Sequence, residues 1–157
     1  MSHRRKVGPV ERSEIVRANA SMATRVLGMP AAPVPDGGYA LRVLRTRGRH
    51  SGADRDTPIG VVGHDGAHYL VSPEDTRDWV RNLDADPRCT LLAADAASAG
   101  TAVRPDPDAA AAAVRTYLRA LDMPWARQAF PVGPDSATAE VRAHMPPISV
   151  FRIDPAR

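Results

Sequence analysis

A turn carrying four arginines, two glycines and a serine lies between two apolar runs, residues 39–44 and 59–62. Arg45, Arg47, Arg49 and Arg55 surround Gly48, Ser51 and Gly52. Apolar runs of that length, bounded by turn residues, read as strands, so the segment predicts a hairpin. Glycine lets a backbone come close to a ligand, and successive N–H groups in such a turn can form an anion-binding concavity. The arginine fork matches phosphate or carboxylate bidentately. The turn therefore reads as a site for an anionic ligand. A solvated basic hairpin is the plain alternative.

The rest of the chain narrows the fold. At 157 residues it can bury a core without staples, and its 43% hydrophobic and 25% charged residues are those of a globular domain. Ser72-Pro73-Glu74-Asp75 predicts a helix start with Ser72 as cap, and Trp79, Val80 and Leu83 then face the core up to Pro87. Asp106-Pro107-Asp108 opens a second helix through an alanine run to Val114, Tyr117, Leu118 and Leu121. Glu11 to Leu27 reads as an amphipathic helix burying Ile15, Val16, Met22, Ala23, Val26 and Leu27, stopped by Gly28 and Pro30. Strands are expected at 39–45, 57–63, 67–71, 89–93, 100–104 and 148–153, with His64-Asp65-Gly66 as a tight hairpin turn. Asp122 to Pro147 reads as a long irregular segment, of a length that usually covers a site. This order suits an α+β, mainly β fold: a small barrel with flanking helices. The organisation is then a tail over 1–10, a helix and linker over 11–38, and a barrel domain over 39–157.

Charge and composition exclude several classes. The net charge is only +3, and the excess sits in one hairpin. Aromatic residues are 4% of the chain and absent from 40–68, so a stacking platform for single-stranded nucleic acid is missing. A small polyanion fits a local patch better. No apolar run approaches the ~20 residues of a membrane span. The basic start has no apolar stretch behind it, and Cys89 is the only cysteine, which together point to the cytoplasm. Cys89, among apolar residues, reads as a core thiol.

Metal and hydrolase chemistry are poorly served. The five histidines show no ligand spacing on a helix, and a turn separates His64 from His68. No Gly-x-Ser-x-Gly elbow is present. Glu74/Asp75 and Asp106/Asp108 open helices, where acids suit the dipole.

Three motifs carry a family likeness. Thr46-x-Gly48-Arg49-x-Ser51-Gly52, then Arg55 and Thr57-Pro58, resembles the Thr-Thr-Gly-Arg-Lys-Ser-Gly…Pro-Arg…Thr-Pro signature of the deazaflavin-dependent nitroreductase family. Asp78-Trp79-Val80-Arg81-Asn82-Leu83-Asp84-Ala85-Asp86-Pro87 is similar to that family's Trp-Tyr-x-Asn-Leu-x-Ala-Asn-Pro helix end. Pro147-Ile148-Ser149-Val150-Phe151-Arg152-Ile153 is similar to its last strand. The resemblance covers the central and C-terminal two-thirds of the chain and implies an actinobacterial split β-barrel oxidoreductase that uses cofactor F420. It implies that Arg49, Ser51 and Arg55, in a turn that also holds Arg47, contact the cofactor phosphate and tail. Thr57 and Pro58 would lie beside the deazaflavin, and Val71 and Ser72 near the ring or phosphate. FMN on the same barrel, or a non-redox descendant that binds a metabolite, are the alternatives.

Departures from the signature single out further residues. His50 replaces the family's lysine in the turn. Ser72 to Arg77 replaces a glycine-rich segment with its lysine, placing Glu74 and Asp75 there and leaving Arg77 as the substitute cation. Tyr117 and His144 are the candidate proton donors. Met123, Trp125, Phe130 and Met145 predict an apolar pocket for an electrophilic acceptor of the enone, quinone or nitro type. The helix at 11–27 is expected to join residues 122–147 as a lid, or to pack against the barrel or a second subunit as a homodimer.

Overall fold

The computed structural model describes residues 9–157, with side chains from residue 14 onward. The tail expected over 1–10 lies outside the described residues except at 9 and 10, which begin a helix. The elements run α1 (Pro9–Leu27), β1 (Tyr39–Arg47), β2 (Asp54–His64), β3 (Ala67–Ser72), α2 (Asp78–Ala85), β4 (Arg88–Ala93), β5 (Ala96–Val103), α3 (Pro107–Ala120), α4 (Pro124–Arg127), α5 (Thr138–Ala143) and β6 (Ser149–Pro155). The strands close an antiparallel barrel in the order β1-β2-β3-β6-β5-β4.

Alternation along the strands sorts residues between two cores. Leu44, Ile59, Val61, Leu70, Phe151 and Ile153 point inward, where Trp79, Val80 and Leu83 of α2 join them. Outside, Val62, Tyr69, Val71 and Val150 are covered by Ala110, Val114 and Leu118 of α3 and by Phe130, Val132 and Val141 beyond it. Asp106 caps α3 by accepting from the Asp108 and Ala109 amides, both at 3.1 Å. Asp65 and Gly66 both take positive φ, 49° and 76°, as the tight turn between β2 and β3 requires.

Three expectations are corrected. The helix predicted from Ser72 starts at Asp78 instead. Ser72 is still laddered to Ser149, so its backbone stays extended and its hydroxyl closes a turn on Glu74, donating to the carbonyl at 2.7 Å. The segment at 122–147 is not irregular throughout. It contains α4 and α5, and it buries Phe130, Val132 and Val141. The apolar face of α1 is mostly uncovered: Ala23 and Val26 pack on Val43, whereas Ile15, Val16, Met22 and Leu27 are exposed. Among the described residues no helix is long and apolar enough to cross a membrane.

Candidate functional site

The barrel is closed unevenly at one seam. All nine residues of β1 pair with β2, from Tyr39 opposite Val62 to Arg47 opposite Asp54. β3 meets β2 only through Val62–Tyr69, Gly63–His68 and His64–Ala67. On its other edge β3 pairs with β6 from His68 to Ser72, so Leu70 to Ser72 are laddered to β6 but not to β2. The stretch of β2 from Asp54 to Val61 therefore has a ladder on one side only. Unpaired strand edges present backbone donors and acceptors to a ligand. Arg55 and Thr57 share the inward face with Ile59, and Pro58 and Gly60 the outward face with Val62. Val71 and Ser72 end β3 across the seam, both buried. The structure thus brings Arg55, Thr57, Pro58, Val71 and Ser72 to one opening.

The basic turn caps this seam, but much of its polarity is spent internally. The Gly48 amide donates to the Ala53 carbonyl at 2.7 Å, and that of Gly52 to Gly48 at 2.8 Å, with Gly52 at φ 72°. The Ala53 amide donates to the Ser51 hydroxyl at 3.2 Å. The expected cradle of N–H groups is accordingly reduced to the amides of His50 and Ser51. Arg49 is turned toward α2. Its amide and guanidinium donate to the Asn82 side-chain carbonyl at 3.2 and 2.8 Å, and the guanidinium also meets the Asp78 carboxylate at 3.2 Å. Asn82, itself buried, donates to Thr46 Oγ1 at 3.3 Å. Arg49 and Asn82 thus tie the turn to α2. Arg45 is held bidentately by Asp56, at 2.8 and 2.9 Å, and Arg47 lies 3.8 Å from Asp86. Arg88 and Arg47 together hold the Asp86 carboxyl down to about 2, with the Arg88 hydrogen bonds contributing most.

Arg55 remains available. Its guanidinium makes one side-chain hydrogen bond among the described residues, to Ser51 Oγ at 3.4 Å. His50 is exposed at the tip. Arg77 precedes α2, exposed, with no side-chain hydrogen bond among the described residues.

The foot of the seam is aromatic. Tyr39 packs against Tyr117 with ring centroids 6.0 Å apart, and Tyr117 against Phe130 at 5.8 Å. Burial pushes the Tyr117 phenol up to about 12, with Tyr39 adding to the rise and Arg77 opposing it. Tyr117 and Phe130, candidates from the sequence for proton donor and pocket wall, therefore lie side by side. His144 is not with them: its Nδ1 lies 3.0 Å from the Glu140 carbonyl at the end of α5. Met123 and Trp125 are exposed on and before α4. Tyr39 was missed in the sequence because the first residue of a strand carries no signal of what folds back beside it.

A cleft lies elsewhere. It has a volume of about 500 Å³ and is lined by Asp75, Thr76, Arg81, Asp84, Arg104 and Met145 among others, with nothing from β1, β2 or their turn. Arg104 in its wall is fully engaged. It pairs with Asp84 at 2.9 and 3.0 Å, donates to Ser149 at 2.5 Å and lies 3.9 Å over the Phe151 ring.

Comparison with known proteins decides the family. Residues 15–129 match the family model described as F420H(2)-dependent quinone reductase. The chain belongs to the F420H2-dependent quinone reductase family. It is an F420-dependent oxidoreductase, and the deazaflavin is chosen over FMN. The matching description names quinone rather than nitro reduction. Among curated proteins no sequence matches significantly. Similar solved structures include a conserved hypothetical protein from Mycobacterium tuberculosis, 18% identical over 99% of this chain and 87% of that one, TM-score 0.52. A heme-binding protein from Mycobacterium smegmatis is 18% identical over 97% of this chain and 52% of its own, TM-score 0.51. An F420 reductase is 16% identical over 82% of this chain and 97% of its own, TM-score 0.48. The first two of these likenesses speak for the barrel alone.

The seam suits the cofactor of an F420-dependent reductase. F420 joins a deazaflavin to a phosphodiester and a glutamate tail, so it needs cations at one end and a neutral, hydrogen-bonding edge at the other. Arg55 and Arg77 retain donors, and the one-sided stretch of β2 lies below them. Glu74 is exposed and Asp75 lines the separate cleft, so neither acid is drawn to Arg55.

The other candidate groups are engaged structurally. Cys89 is buried, with its thiol pushed up to about 11 by desolvation. Trp79 is buried against Phe151 at 6.2 Å. His64 Nδ1 lies 3.0 Å from Thr116 Oγ1, and His68 Nε2 3.2 Å from the Val34 carbonyl, so the two histidines serve different partners.

Proposed function

We propose that the seam between β2 and β3 holds F420 and that the enzyme passes its hydride to an apolar electrophile, of the enone, quinone or nitro type. The observation that carries this is the pairing of β2 with β3 through three residue pairs only, directly below a turn with an uncommitted arginine. Arg55 and Arg77 would hold the phosphodiester and tail, aided by His50, Ser51 and the outer arginine Arg47. Thr57, Pro58, Val71 and Ser72 would line the ring. Arg49 positions the turn through Asn82 instead of clamping the anion itself. When bound, the cofactor supplies the hydride, and the chain supplies position and electrostatics.

The acceptor would enter at the aromatic foot. Phe130 and Tyr117 form its wall, and Met123 and Trp125, exposed nearby in sequence, suit an apolar rim. The uncovered face of α1, with Ile15 and Met22, favours a lid over that rim or a second subunit. In this reading residues 11–38 add to the substrate side, and the barrel domain of 39–157 holds the cofactor and the aromatic wall. Two measurements test it. F420 and FMN are titrated separately into the purified protein and followed by fluorescence, and turnover is assayed with F420H2 and menadione. Saturable F420 binding with menadione reduction is expected. Tighter binding of FMN, or no binding of F420, overturns the reading.

A further inference from the structure

We propose that Tyr39 donates the proton that completes reduction of the acceptor. The inference rests on the seam as the cofactor site. Hydride addition forms one C–H bond in an enone or one O–H bond in a quinone, and in either case leaves an electron pair on an acceptor oxygen. The product needs a proton there as well, and the seam must offer an acid within reach.

The acids near the seam are few. His64 is engaged by Thr116, and His144 by Glu140. Cys89 is buried inside the barrel wall, its thiol 3.8 Å from the Gly100 carbonyl. Tyr39 and Tyr117 remain, and neither hydroxyl has a protein hydrogen-bond partner among the described residues. Both pack against the cluster under α3, but their neighbours differ. Tyr117, on α3, is wedged between Tyr39 and Phe130. Tyr39 stands on a strand, and its phenol end lies directly on Gly60. A Cβ at Gly60 would collide with Cε2, Cζ and Oη of that ring. Gly60 belongs to the stretch of β2 that has no β3 partner. The missing side chain therefore seats the Tyr39 hydroxyl beside the open edge.

Both partners of the acid are then accounted for. The Tyr39 O–H bond breaks as an O–H bond forms on the reduced acceptor. The phenolate left behind takes a proton from water, which a half-buried ring admits. Tyr117 backs the Tyr39 ring and is a positioning residue.

The test compares the parent enzyme with Tyr39→Phe, Tyr117→Phe and Gly60→Ala. F420 affinity is measured by fluorescence, and kcat with F420H2 and menadione. Tyr39→Phe is expected to lower kcat about a hundredfold, the lower range of general-acid effects, with F420 affinity within about twofold. Gly60→Ala keeps the phenol but displaces it, and should lower kcat at least tenfold, roughly half of that effect on a logarithmic scale. Tyr117→Phe should cost less than Tyr39→Phe. A Tyr39→Phe enzyme with kcat within about threefold of the parent overturns the proposal. So does a Tyr117→Phe enzyme that loses more than Tyr39→Phe, or loss of F420 binding in Tyr39→Phe. Failure of the parent itself to bind F420 is a separate result: it breaks the reading of the seam and the proposal with it.

Discussion

The cleft and the seam differ in what their cations are doing. The cleft, lined in part by Ser149 and Val150, has Arg104 in its wall. That guanidinium is spent on Asp84, Ser149 and the Phe151 ring. The seam has Arg55 at its turn end, with a single long hydrogen bond to Ser51. A bound anion must compete with whatever already holds a cation, and a carboxylate in a bidentate pair competes well. Volume therefore points to one recess and available charge to the other. The same contrast separates Arg49 from Arg55 within one turn: the first is fastened to α2, and the second holds only Ser51, at 3.4 Å.

The contrast can be broken by mutation, beginning with the largest effect. Arg104→Ala removes a charged hydrogen-bond set and should destabilise the fold by about 2–3 kcal/mol, the range for bonds to charged groups. Chemical denaturation checks this, and F420 affinity of the folded fraction should stay at the parent value. Equal losses of stability and affinity would mean that the large cleft serves the cofactor. Arg55→Ala should do the reverse. It should weaken F420 binding about ten- to a hundredfold, with little change in denaturation midpoint. An unchanged Kd removes Arg55 from the site.

Arg49→Ala sharpens the comparison inside the turn. It leaves Asn82 short of a donor partner and should cost about 1–2 kcal/mol of stability. Its effect on F420 affinity should be smaller than that of Arg55→Ala, and titration of the two variants side by side decides the order. Trp125→Ala should have the least effect. The side chain is exposed, so stability should move by less than about 0.5 kcal/mol. The acceptor KM should rise a few-fold, roughly a kcal/mol of contact, while F420 affinity holds. A fall in F420 affinity instead would place Trp125 beside the cofactor and remove it from the substrate rim.

Local signals carried most of the fold. The strands expected at 39–45 and 57–63, the Asp65-Gly66 turn and the Asp106-Pro107 cap each depend on near neighbours, and each appears, with the strands extended to Arg47 and back to Asp54. The helix start at Ser72 misled, because a capping pattern competes with a strand ladder that only Ser149 reveals. Tyr117 and Phe130 could be named from sequence as candidates, but nothing in the chain put them together.

The sequence by itself determined the hairpins, the cationic turn, the buried Trp79 and the family, all of which rest on residue type and short spacing. Tertiary structure alone decided that β3 leaves β2 at Val62, that Arg49 is held by Asn82 thirty-three residues away, and that Tyr39 lies on Gly60. The reason is physical. A strand's own pattern says which face is buried but not how long its edge stays paired, and a cation's availability depends on partners distant in the chain.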